Sequence, residues 1–120
     1  TTVWGTGNAR REFMFVDDMA AVSLKIHRLE EEKFKEMTNH NYSYINIGTG
    51  MDITIRELAE LVCKTVGFKG DIIFDNSKPD GTPRKVMDVT LIKSLGWENY
   101  TPLDFGLTKA YNDFLNKSEV

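Results

Sequence analysis

The 120-residue chain predicts an α/β fold with α+β character, and three features of the sequence carry that expectation. Short runs rich in β-formers alternate with longer runs whose apolar residues recur at three- and four-residue steps, as strands exchanging with amphipathic helices do. The helical runs carry capping and stop residues, and the strand-like runs end at glycines. Composition is that of a folded domain, 41% hydrophobic and 28% charged, with no repeat or low-complexity segment. A chain of this length suits one domain that buries roughly two thirds of the surface its unfolded form exposes.

TTVW (1–4) opens as a strand that ends at Gly5 and Gly7, and REFMFV (11–16) alternates like a half-buried strand. From Asp17 the period lengthens. Met19, Val22, Ile26 and Leu29 share one helical face, Asp17 or Asp18 can cap the orphan amides, and one helix is expected to about Glu36. Its later turns place Glu31 four residues before Lys35, a solvated surface. After the break at NHN (39–41), YSYINIG (42–48) reads as a buried strand. Thr54 and Glu57 form a capping box for a helix whose stripe is Ile55, Leu58, Ala59, Val62 and Val66, stopping at Gly67. DIIFD (71–75) is a further short strand. A helix from about Val89 to Leu95 follows, with Asp88 or Thr90 as cap and Gly96 as stop. The last helix is expected to begin at Thr101, with Pro102 in the first helical position and Asp104 completing the cap signature.

A net charge of −3 lacks the basic footprint of a nucleic-acid binder. No apolar run approaches the roughly 18 residues of a membrane span, and TTVWGTGNARREF has no signal-peptide layout, so a cytoplasmic protein is expected. The single cysteine, Cys63, excludes an intramolecular disulfide and sits at helical spacing as a buried thiol. His27 and His40 have no metal-ligand partners in sequence and are expected at the surface.

Chemistry is concentrated in three loops. WGTGNARR (4–11) joins an indole, glycines and two guanidiniums: the arginines suit phosphate oxygens and the indole a base or sugar, although Trp4 serves equally well as core. NIGTGMDITIRE (46–57) has a strand, glycines and a helix start but lacks the third glycine of a dinucleotide loop, and reads as a strand-to-helix turn. FDNSKPDGTPRKVMDV (74–89) stiffens its backbone with Pro79 and Pro83 and presents Lys78, Asp80, Arg84 and Lys85. Cations there suit a diphosphate and Asp80 suits sugar hydroxyls or a base edge; the rival reading is a solvated turn. No nucleophile with a positioned histidine and no distinctive carboxylate pair is present, so no catalytic residue and no metal site are assigned.

Three stretches, VWGTGNARREFMFVDDMA (3–20), YINIGTGMDITIRELAELV (44–62) and above all FDNSKPDGTPRKVMDVTLIKSLGW (74–97), resemble the C-terminal part of the GDP-L-fucose synthase family of extended short-chain dehydrogenases/reductases. The first two are shared more loosely by many nucleotide-sugar epimerases and dehydratases; KPDGTPRK (78–85) is the more specific. The resemblance implies C3/C5 epimerisation of GDP-4-keto-6-deoxymannose and NADPH reduction at C4 by a longer protein, in which the NADP loop and the catalytic residues precede the counterpart of Thr1. It implies substrate binding by Trp4, Arg11 and Asp80, with Lys85 near the diphosphate and Arg10 and Arg84 as weaker candidates. It further implies one substrate-binding domain over 1–120 with short strands, about four helices and no Rossmann core, and with 42–48 a strand that joins the Rossmann sheet of an N-terminal partner domain. By the same resemblance the full enzyme is a homodimer, while this segment holds no cofactor of its own and exposes apolar area or associates through it; its charge and hydropathy lead to no nucleic-acid or membrane partner being expected. Rival readings are a related nucleotide-sugar dehydratase or epimerase and a non-catalytic interaction module.

Overall fold

A computed structural model describes residues 1–38, 43–98 and 100–117. Two small sheets organise the described residues. In the first, β1 (Thr2–Trp4) pairs in parallel with β4 (Ile73–Asp75), Trp4 opposite Asp75. In the second, β2 (Arg10–Arg11) is central, antiparallel to β3 (Ile53–Thr54) and parallel to β5 (Arg84–Lys85). Of the alternating run 11–16 only Arg11 is therefore strand, because β3 and β5 are two residues long and give the rest nothing to pair with.

Among the described residues five helices form where about four were expected, because the first predicted helix is two. α1 (Val16–His27) stops at Arg28, and α2 (Glu31–Met37) starts after Leu29 and Glu30, with the Lys35–Glu31 pair on its exposed side. Asp17 and Asp18 do not cap α1, whose N-cap is Phe15. Each is drawn instead to the C-terminal segment: Asp17 pairs with Lys109 at 2.7 Å, and Asp18 accepts from the Thr101 amide at 2.7 Å and its hydroxyl at 3.0 Å. Thr101 is thus occupied elsewhere, and α5 (Leu103–Lys117) begins one residue beyond Pro102, whose carbonyl accepts from Gly106 N–H.

α3 (Ile55–Val66) follows its sequence signals closely. The Thr54 hydroxyl accepts from Glu57 N–H at 3.1 Å while the Glu57 carboxylate accepts from Thr54 N–H at 2.8 Å. Gly67 ends the helix at φ +71, a left-handed cap that a side chain would strain. α4 (Thr90–Ser94) is shorter than expected, with Val89 rather than Asp88 or Thr90 at its N-cap; Asp88 accepts from Thr90 N–H one step earlier.

The buried cluster is small: Val22 of α1 and Val89 and Ile92 around α4, with Met14, Ile26, Ile45, Ile47, Leu95 and Trp97 packed on it. Residues 43–47 supply two of these side chains but form no ladder, and Tyr42 of the predicted strand lies outside the described residues. Cys63 is half-buried and His27 exposed, and His40 also lies outside the described residues.

The radius of gyration is 17.8 Å, against roughly 14 Å for a compact chain of this length. Accessible surface is 8701 Å², against roughly 6,600 Å² for a folded monomer of this mass. The excess, about 2,000 Å², includes apolar groups: Val16, Met51, Ile73, Phe105 and Phe114 are each more than 60% exposed.

Candidate functional site

The expected loops converge. Asp80 Oδ1 accepts from Thr6 N–H at 2.6 Å and Oδ2 from the Thr6 hydroxyl at 2.7 Å, binding the proline-braced loop to the turn after β1. Those two bonds, hydroxyl first, hold the Asp80 carboxyl below its ordinary pKa. Trp4, at the end of β1, is 71% exposed, which rules out a core role. Lys78 Nζ stands 5.6 Å from the centroid of its ring, at cation–π range. On the other side of Asp80, Gly81 lies beside Arg11: a Cβ added to it would stand 3.9 Å from Arg11 Nη2. Lys78, Asp80 and Gly81 of the proline-braced loop thus lie against Trp4, Thr6 and Arg11 respectively.

The three-stranded sheet sorts the cations. Arg10 is opposite Arg84 and Arg11 opposite Lys85, and side chains alternate along a strand, so the two pairs project to opposite faces. Arg10 and Arg84 share a carboxylate: Arg10 Nε donates to Asp52 Oδ1 at 2.8 Å, and Arg84 Nε donates to Asp52 Oδ2. The Asp52 side chain is 6% exposed, and its pKa is lowered by the hydrogen bond from Arg84 first and from Arg10 second. Arg11 and Lys85 have no carboxylate within 4 Å among the described residues. Together with Glu12, Val86 and Met87 they line a groove of about 490 Å³.

Glu12 is committed to structure. Its Oε1 accepts from Gly50 N–H at 2.6 Å and the Thr49 hydroxyl at 3.1 Å, and its Oε2 from Met87 N–H at 2.7 Å. The Gly48–Gly50 loop thus already holds an internal carboxylate, which supports the turn reading over phosphate binding. No group of three or more metal-ligating side chains occurs among the described residues. A second hollow, of about 370 Å³ and lined by Phe13, Phe15, Leu58, Val62 and Leu107 among others, is apolar and lies apart from these cations.

The structure thus sets Trp4 and Arg11 against the loop that carries Asp80, pairs Arg11 with Lys85, and turns Arg10 and Arg84 away to Asp52. Sequence reasoning missed Thr6, Glu12 and Asp52. Glu12 had a signal, since an acidic residue inside an otherwise apolar alternating run needs a specific partner. Thr6 and Asp52 had none locally.

Residues 1–48 match the NAD dependent epimerase/dehydratase family. Across 98% of its length the chain is 50% identical to a GDP-L-fucose synthase from Escherichia coli, of which it covers 36%. It superposes with a TM-score of 0.83 on a GDP-6-OMe-4-keto-L-xylo-heptose reductase from Campylobacter jejuni, 38% identical over 97% of this chain and 34% of that one. A GDP-D-glycero-L-gluco-heptose synthase from Campylobacter jejuni, solved in the presence of NADPH, gives 0.79 and 35% identity over 92% of this chain and 32% of that one. The chain is a homologue of GDP-L-fucose synthases and related GDP-sugar reductases and spans about a third of their length.

Proposed function

We propose that this chain is the substrate-binding portion of a GDP-L-fucose synthase, the enzyme that epimerises GDP-4-keto-6-deoxy-D-mannose at C3 and C5 and reduces it at C4 with NADPH. The observation that carries the reading is the meeting of the two loops: an exposed indole, a carboxylate-locked turn and, among the described residues, two cations without carboxylate partners, in a chain whose relatives are named for GDP-sugars. Trp4 offers a face for stacking, and Arg11 and Lys85 balance a diphosphate, the guanidinium by paired donors and the ammonium as a point charge. Asp80 has lone pairs to spare for a hydroxyl beyond the two given to Thr6.

Hydride transfer and epimerisation are assigned to a companion dinucleotide-binding domain. NADP(H) does not fit the glycine loop of this chain, because Glu12 fills the anion position at Gly50. The excess surface suits such a companion, and residues 42–48 are proposed to add a strand to its sheet; the full enzyme is proposed to be a cytoplasmic homodimer.

Titration with GDP and UDP, followed by Trp4 fluorescence and the amide signals of Arg11 and Asp80, tests the reading. GDP is expected to perturb all three, and Arg11→Met to weaken binding by about tenfold, as loss of a charge-assisted contact does. Indifference of all three signals to millimolar GDP overturns it, and preference for UDP points instead to a UDP-sugar epimerase. NADPH with keto-sugar is expected to give no turnover with this chain alone.

A further inference from the structure

The geometry points to Asp52 as a positioning residue: by clasping Arg10 and Arg84 on one face of the β3–β2–β5 sheet, it fixes the register that sets Arg11 beside Lys85 on the other. This rests on the reading of Arg11 and Lys85 as an anion site. The β2–β5 ladder is only two residues long and parallel, the weaker pairing, and it joins segments more than 70 residues apart. Backbone bonding alone secures it poorly; Arg10 N–H reaches the Pro83 carbonyl at 2.8 Å just outside the ladder. Asp52 adds ties from both strands to one nearly buried carboxylate. Because strand side chains alternate, whatever holds Arg10 against Arg84 also holds Arg11 against Lys85. Two adjacent like charges repel, so without an external tie the ladder would open where the anion must bind.

Positioning and plain electrostatics predict opposite signs. Asp52→Asn removes one negative charge from the opposite face of the sheet, so an electrostatic role alone makes anions bind more tightly, with a steeper salt dependence. Positioning makes them bind more weakly despite the loss of that negative charge. The probes are GDP and inorganic pyrophosphate, titrated against the chain by NMR at two salt concentrations. Asp52→Asn is expected to weaken both about tenfold and to speed amide exchange at Arg10. Arg84→Lys, which keeps the charge but loses the guanidinium bond, is expected to weaken them about threefold and decides alone if Asp52→Asn does not fold. Gly67→Ala destabilises the chain far from the sheet and is expected to leave affinity unchanged. Equal or tighter binding by Asp52→Asn, or unchanged binding by Arg84→Lys, overturns the inference. A parent chain that binds neither probe, or an Arg11→Met variant that binds as the parent does, overturns the anion site on which it rests.

Discussion

Gly5 has φ +84, and a Cβ placed on it would stand 2.3 Å from Asp80 Oδ1 and 3.3 Å from Asp80 Cα. A side chain there would strain the backbone and push away the carboxylate that joins the two loops. Gly5→Ala is therefore expected to destabilise the chain by about 1–3 kcal/mol, measured by chemical denaturation, and to weaken GDP binding; a variant as stable as the parent would show that the Asp80–Thr6 contact is dispensable. The candidate site residues were legible by type: an indole, arginines and a lysine, and an aspartate in a braced turn. Their partners were not. Asp80 meets Thr6 across 74 positions, Asp52 meets Arg10 across 42 and Arg84 across 32, and Glu12 meets Met87 across 75. No spacing rule reaches so far, which is why spacing alone did not separate Arg10 and Arg84 from Arg11 and Lys85, and only the resemblance ranked them lower.

Elements with self-contained signals formed where expected. The capping box and glycine stop of α3 satisfy its end groups from within a few residues, so no tertiary contact can easily move its boundaries. Thr54→Ala is expected to cost about 1 kcal/mol, and an unchanged midpoint in thermal unfolding would count against the cap. Elements whose ends depend on distant partners shifted. Asp18, free to cap α1 by position, is bonded to Thr101 instead, and α5 starts later than expected. The strand expected from Arg11 to Val16 shrank for a related reason, since strand length is set by the neighbour and both neighbours are short.

For the molecule as a whole, charge pairing sets a pH window. Asp52, Asp80, Asp88 and Glu57 all have pKa values lowered by hydrogen bonds, from Arg84, Thr6, Thr90 and Thr54 respectively. The folded chain then holds fewer protons than the unfolded chain around those values. Stability from these groups is present above the ordinary values of 3.8 and 4.5 and is lost as pH falls through the lower folded ones. Denaturation midpoints are expected to be insensitive to these groups from pH 7 to 5 and to fall below about pH 4.5, less steeply in Asp52→Asn; a midpoint unchanged at pH 3 contradicts this. The open shape and exposed apolar side chains match the expectation of surface left uncovered, drawn from the resemblance rather than from composition, which is that of an ordinary compact domain. By itself the sequence determined the alternating α/β class, the span of α3 and the chemical types gathered in the site, because each depends on neighbours a few residues apart. Only the tertiary structure decided which cations stay without a carboxylate, where α1 ends and how little core the chain encloses, because those follow from side chains meeting across dozens of residues.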